Sequence, residues 1–161
     1  MRFGIIGAGV IADVVKQWNE GRKPGPVANQ LRSLQAMVTG LTTVSSTSEV
    51  VLNGKALSIY GLLVTTLDRL LFGSRPYWGQ TDPGSLKITW VEAAAEHLLR
   101  HAPALLRGRS SLADRKGFES HRIDRATLEL EGPYIIDGEI FEPRNRILNI
   151  ETSHPIRWIR L

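Results

Sequence analysis

The chain has 161 residues, of which 42% are hydrophobic and 22% charged, and its formal net charge is +4. That balance belongs to one globular domain and excludes a disordered chain, and no apolar run reaches the roughly 18 residues a membrane-spanning helix needs. There is no cysteine, so disulfides, thiolate zinc sites and cysteine nucleophiles are excluded. The first residues run straight into a strand-like pattern rather than a secretory signal. Together with the missing cysteines this favours a cytoplasmic location, with peripheral membrane contact as the variant.

Phe3 to Ile6 predicts a short strand entering a glycine-rich turn, and Ala12 to Trp18 a short helix. Gly21 to Pro26 is a breaker cluster. Val27, Leu31, Leu34 and Val38 then recur at helical spacing, with Gly40 as a stop. From Thr42 to Leu52 the chain turns rich in Thr, Val and Ser. Asn53-Gly54 stands between that run and the alternating run Lys55 to Thr65. Asn-Gly is a strong hairpin signal because both residues tolerate positive φ. Leu67 to Trp78 reads as an irregular connection, and Leu86 to Val91 as a strand.

Glu92 to Leu106 predicts the clearest helix, with Val91, Ala94, Ala95, Leu98, Leu99 and Ala102 on one side and Pro103 expected to end or kink it. Arg107 to Lys116 reads as a basic loop. The remainder reads as short strands over 119–123, 127–130, 134–136, 139–141, 147–152 and 156–161, with turn signals between them. Many short strands with regular turns predict an α+β fold, mainly β: an antiparallel β-sandwich with two or three inserted helices.

Four features bear on chemistry. Gly7-Ala8-Gly9-Val10-Ile11-Ala12 has the G-x-G-x-x-A spacing that cradles a dinucleotide, as in NAD(P)-dependent oxidoreductases. That reading also requires a second parallel strand ending in an acid about 20 residues on. No Asp or Glu occurs between Glu20 and Glu49, and Gly21 to Pro26 cannot be a strand. Arg22 is available for a phosphorylated cofactor, but the strand is still missing.

Asp137-Gly138-Glu139 is the second feature. It suits a type I′ hairpin turn, and it also places two carboxylates close together for general-base or charge-partner work on a hydroxyl. The third is the aromatic and glycine-rich loop Gly73 to Gly79 followed by Asp82-Pro83-Gly84, either a binding surface or a plug at one end of the fold. The fourth is Asp13, which either favours a helix N-terminus or binds a substrate hydroxyl or amine. His97 and His101 lie at i, i+4 but lack the Glu of H-E-x-x-H, so no metal site is expected.

The basic residues are 15 Arg and 5 Lys. Arg100, Arg107, Arg109, Arg115, Lys116, Arg122 and Arg125 crowd one segment against Asp114, Glu119 and Asp124. Taken alone, this segment is either a solvated loop or a face for anionic lipid, nucleotide or nucleic acid. No nucleic-acid partner is expected.

Taken in order, these segments resemble the C-terminal domain of the diacylglycerol kinase and sphingosine kinase family of lipid kinases. The resemblance rests on Gly9-Val10-Ile11-Ala12-Asp13-Val14, on the Asn53-Gly54-Lys55 hairpin, on Asp82-Pro83-Gly84-Ser85-Leu86 and on Tyr134 to Glu139. It covers nearly the whole chain, and the ordering with the hydrophobic-D-G-E stretch is its most specific part. Pro83 departs from the family's D-G-x-L turn, which puts a magnesium site there in doubt.

The resemblance implies one domain over 1–161, with a helical insertion about 12–39 and a sandwich over 42–161. It implies Asp137 as the base for a lipid hydroxyl, Glu139 beside metal and nucleotide, and Asp13 at the lipid head group. ATP and magnesium are implied for a complete enzyme and no tightly bound cofactor for this domain alone. The family's Gly-Gly-Asp-Gly-Thr phosphate loop does not occur in the 161 residues. The expectation is the lipid-acceptor half of a kinase, inactive without a nucleotide-binding half in cis or in trans. A lipid- or membrane-binding regulatory domain is the alternative from another class.

Overall fold

The structure, a computed structural model, describes residues 4–20, 47–70, 74–78, 84–142 and 147–152. The expected helix over 27–38, the strand over 156–161, the Asp82-Pro83 dipeptide and the breaker cluster lie outside the described residues.

The chain begins with β1 (Ile5–Gly9) and passes directly into α1 (Val10–Glu20). β2 (Ser48–Leu52) and β3 (Lys55–Thr65) form a hairpin closed by Asn53 and Gly54, whose φ angles are 50° and 82°. Both residues take the left-handed conformation that a type I′ turn requires. β4 (Leu86–Glu92) leads through turns to α2 (Leu98–Leu106) and a 3-10 turn (Ser110–Leu112). Next come β5 (Phe118–Ile123), β6 (Arg125–Leu130), β7 (Tyr134–Ile136), β8 (Glu139–Phe141) and β9 (Ile147–Glu151).

All nine described strands belong to one antiparallel sheet. Its main path runs β8-β7-β1-β3-β2-β6-β9, with β4 on β3 and β5 on β4. The sheet curls into a half-barrel, which corrects the expected two-sheet sandwich. The physical reason lies in β3, whose 11 residues are shared among β1, β2 and β4, so the strands stay joined where a sandwich would divide them.

A register shift between Ile59 and Gly61 keeps that long strand useful. Leu57 and Ile59 face the core on odd positions, and after the irregularity Leu62 and Val64 face it on even ones. Without the extra residue, one half of β3 would turn its apolar side chains to the opposite face. Burial of one such side chain contributes about 1.5–3 kcal/mol, so the offset is strongly favoured. One face of the sheet holds the main core, from Ile6 and Ala8 through Ile88 and Trp90 to Leu128 and Ile150. A second cluster of Trp78, Val91, Ala95, Leu112 and Phe118 covers the other face near β4 and β5.

One expectation changes, and one disfavoured alternative is removed. The helix read over Glu92 to Leu106 is only Leu98–Leu106. Val91 and Glu92 belong to β4, and His97, at φ 55°, breaks the backbone before the helix. Pro103 lies inside this helix, so of the expected end or kink the end is ruled out. The dinucleotide alternative, already disfavoured for want of a second parallel strand, is removed by the strand pairing. β1 is antiparallel to both of its neighbours, β3 and β7, so among the described residues no parallel nucleotide-binding unit forms around it.

The glycines of that motif serve packing instead. A Cβ on Gly7 would stand 2.5 Å from Ile11 Cγ2, and one on Gly9, at φ +66°, would stand 2.4 Å from the Tyr60 carbonyl oxygen. They let α1 settle on the sheet and let the chain turn from strand to helix at one residue.

Candidate functional site at one end of the sheet

β7 and β8 are three-residue strands paired Tyr134↔Phe141, Ile135↔Ile140 and Ile136↔Glu139. The stacked Tyr134 and Phe141 rings, 5.7 Å apart, secure the base of this hairpin. Asp137 and Gly138 close it, at φ 50° and 91°. The expected Asp-Gly turn is therefore present, and both Asp137 and Glu139 are exposed on it.

Asp137 is tied to the start of β1. Its Oδ1 accepts from the Gly4 N–H at 2.9 Å and from the Ile5 N–H at 2.8 Å, while Oδ2 lies 3.1 Å from the same Gly4 nitrogen. Its own N–H donates to the Ile5 carbonyl at 2.9 Å. The carboxylate is thus oriented by main chain rather than by a flexible partner. Thr65 continues the network, donating to the Gly4 carbonyl at 2.7 Å and accepting from the Leu67 N–H at 3.0 Å.

Glu139 follows on β8, opposite Ile136. Asp13 sits in the first turn of α1 and is exposed; α1 packs on β1, β3, β7 and β8. The helix therefore rests on the same strands that carry Asp137 and Glu139. Asp137 and Glu139 share one hairpin, and Asp13 reaches that neighbourhood only through the packing of its helix. Among the described residues, no group of three or more His, Asp and Glu comes together to hold a metal ion.

The sequence reading missed a polar row beside this turn. Cross-strand register aligns Ile5, Thr65, Lys87 and Arg122 in one line over four strands. Lys87 is only 5% exposed, yet its ammonium is fully used. It donates to Asp68 at 2.7 Å and to the Leu67 and Thr66 carbonyls at 3.0 and 3.4 Å. Its Nζ also stands 4.9 Å from the centroid of the Tyr77 ring. The hydrogen bond from Lys87, and then its charge, hold the Asp68 carboxyl below its ordinary range, with Arg122 and Arg75 adding to the effect. One signal was legible: Leu86 and Ile88 belong to the core, so alternation puts Lys87 on the opposite, helix-bearing face.

On the core-bearing side of the sheet, Trp90 stacks on His121 at 5.3 Å, and His121 Nε2 lies 3.2 Å from Glu119 Oε2. This pair belongs to β5, on the far side of β3 and β4 from the Asp137 turn.

No family model matches the sequence, and no curated protein matches it. Solved structures do match the fold. A Bacillus anthracis str. Sterne protein described as a diacylglycerol kinase aligns over 85% of this chain and 45% of its own, at 16% identity and a TM-score of 0.53. Two further structures from that organism, described in the same way, align at 11% and 17% identity with TM-scores of 0.46 and 0.47. They cover 86% and 85% of this chain and 43% and 46% of theirs. The chain has the fold of one part of a diacylglycerol kinase structure and spans about 45% of the length of the first of these.

Proposed function

We propose that this chain is the lipid-acceptor half of an ATP-dependent lipid kinase, acting on a diacylglycerol or long-chain-base hydroxyl. The observation that carries the reading is Asp137. It is exposed on a left-handed turn, and two backbone N–H groups aim its carboxylate. The fold around it is that of part of a diacylglycerol kinase structure.

In this reading Asp137 takes the proton of the lipid hydroxyl as its oxygen bonds to the terminal phosphorus of ATP. The bond from that phosphorus to the bridging oxygen breaks, and ADP leaves. Such chemistry depends on positioning and on charge neutralisation around the phosphates. Glu139, two residues on, faces the magnesium-bearing nucleotide, and Asp13 meets the lipid head group. Magnesium arrives with the nucleotide, and no step here is routed through it. The Gly-Gly-Asp-Gly-Thr loop that would cradle the donor does not occur in these 161 residues. The donor half is supplied from outside them, in the same polypeptide or another.

The test is label transfer from radioactive ATP to diacylglycerol or a long-chain base. The 161-residue chain alone transfers nothing. Joined to a nucleotide-binding half bearing that loop, it transfers label, and Asp137→Asn removes at least about 99% of the rate, in the range of general-base losses. Turnover by the chain alone, or full activity of the Asn variant, overturns the reading.

A second reading, a membrane-binding regulatory domain, has one specific observation behind it. Leu99 on α2 is 55% exposed, with Arg100 beside it and Arg107 and Arg109 just beyond the helix. An exposed leucine among arginines suits an anionic lipid surface. Co-sedimentation with vesicles that rises with anionic lipid content supports it, and indifference to that content removes it. No helix among the described residues is long and apolar enough to cross a membrane.

A further inference from the structure

We propose that Arg122 and Arg75, braced by Lys87 and Tyr77, form a binding site for phosphate oxygens at the same end of the sheet as the Asp137 turn. Lys87 and Arg122 are directly opposite each other on β4 and β5, so their side chains leave the same face. Like charges so placed repel, and an arrangement of this kind persists when an anion lies among them. Asp68 is one such anion, bound to Lys87 at 2.7 Å and within the field of both Arg122 and Arg75. Among the described residues, Lys87 alone contacts the Asp68 carboxylate, which is 88% exposed, so Arg122 and Arg75 are not paired with it directly.

The geometry of Arg122 points the same way. Its guanidinium carbon stands 6.0 Å from the centroid of the Tyr77 ring, whose other neighbour is the Lys87 ammonium. Tyr77 is itself fixed, donating its hydroxyl hydrogen to the Asp68 carbonyl at 2.9 Å. The Arg122 Nε is buried and has no hydrogen-bond partner among the described residues. A buried donor left without an acceptor is costly, about 1–3 kcal/mol and more when charged. A ligand bringing several oxygens to a planar guanidinium relieves that cost, and phosphate is the group best matched to it.

The distance to Asp137 sets which phosphate this is. Asp137 adjoins Ile5, and Arg122 lies three strands further along the row, about 14 Å at ordinary strand spacing. Two strands, β3 and β4, therefore stand between the strand beside Asp137 and the strand that carries Arg122. The site suits a second phosphate, on the tail of a soluble polyphosphate or on a phospholipid head group. It does not depend on Asp137 being a base.

The experiment follows the Arg122 Nε–Hε NMR signal of the 161-residue chain at low salt. One arm adds inorganic pyrophosphate. The other adds vesicles of phosphatidylcholine with or without phosphatidic acid. A shift with pyrophosphate alone identifies a soluble ligand, and a shift only with phosphatidic acid identifies a head group; either upholds the site. Arg122→Gln and, on the exposed loop where folding is not at stake, Arg75→Gln should each weaken binding about tenfold. Lys116→Gln, outside the cluster, should not, and Asp137→Asn should bind like the parent. If neither probe moves the signal, or if Lys116→Gln weakens binding as much as Arg122→Gln, the site is overturned in favour of diffuse attraction to a basic surface.

Discussion

Asp137 and Ile5 hold each other by two hydrogen bonds: the Asp137 N–H donates to the Ile5 carbonyl at 2.9 Å, and the Ile5 N–H donates to the Asp137 carboxylate at 2.8 Å. The residue placed by its motif as a base therefore also ties the β7–β8 hairpin to the first strand. The two roles separate by substitution. Asp137→Asn keeps a side-chain oxygen for the Gly4 and Ile5 amides and tolerates the left-handed backbone. Its unfolding free energy in urea should fall by no more than about 1 kcal/mol. Asp137→Ala loses the acceptor and strains the turn, and should cost about 2–3 kcal/mol. Equal losses in the two variants would show that the carboxylate does not anchor β1.

The glycines of the β1–α1 junction carry the second prediction. At Gly9 an added Cβ meets the Tyr60 backbone oxygen at 2.4 Å, and backbone yields far less than a side-chain end. Gly9→Ala should destabilise the chain by more than about 3 kcal/mol, seen as a lower urea midpoint. Gly7→Ala meets the Ile11 and Ile135 side chains, which can shift, and should cost less, about 1–3 kcal/mol. NADH added to the unmodified chain should show no change in fluorescence. A saturable change would restore the dinucleotide reading that the antiparallel β1 removes.

That junction also shows where local sequence is informative. Asn53-Gly54 and Asp137-Gly138 were legible because a two-residue turn depends on the φ range of its own residues. The Gly7 to Ala12 spacing is ambiguous by itself because packing glycines and phosphate-binding glycines share one requirement, close backbone approach, and differ only in what approaches. The strand pairing that decides between them involves β3 and β7, far along the chain. The Glu92 to Leu106 helix misled for a similar reason. Val91 fits a helical stripe, but cross-strand pairing with Phe118 and Gly61 holds it in a strand. The Lys87–Asp68 pair was invisible to spacing because register, not sequence distance, brings Arg122 and Tyr77 to it.

Asp68 gives a pH prediction. Lys87 lowers its carboxyl below the ordinary value of 3.8, so near that pH the folded chain binds fewer protons than the unfolded one. The pair therefore stabilises fully above 3.8, and the contribution is lost as pH falls through the folded value. Comparison of Tm for the parent and Asp68→Asn should show a gap near neutral pH that closes in acid below 3.8. Asp68 is 88% exposed, so added salt should narrow the gap. A gap that widens on acidification would contradict the pairing.

Trp90 separates ring packing from hydrogen bonding. Its side chain is 7% exposed, its ring stacks on His121, and its Nε1 is buried with no hydrogen-bond partner among the described residues. The N–H therefore gains nothing from the fold there and loses its water. Trp90→Phe removes that unsatisfied donor while keeping an aromatic surface for His121. The lost volume and the relieved donor offset each other, so the change should lie within about 1 kcal/mol of neutral. Trp90→Ala instead opens a cavity among Leu62, Ile88 and their neighbours and should cost about 3–5 kcal/mol. Urea unfolding of both variants checks the pair. A Phe variant as unstable as the Ala variant would mean that the indole N–H has a partner, and that its hydrogen bond rather than the ring holds this edge of the half-barrel.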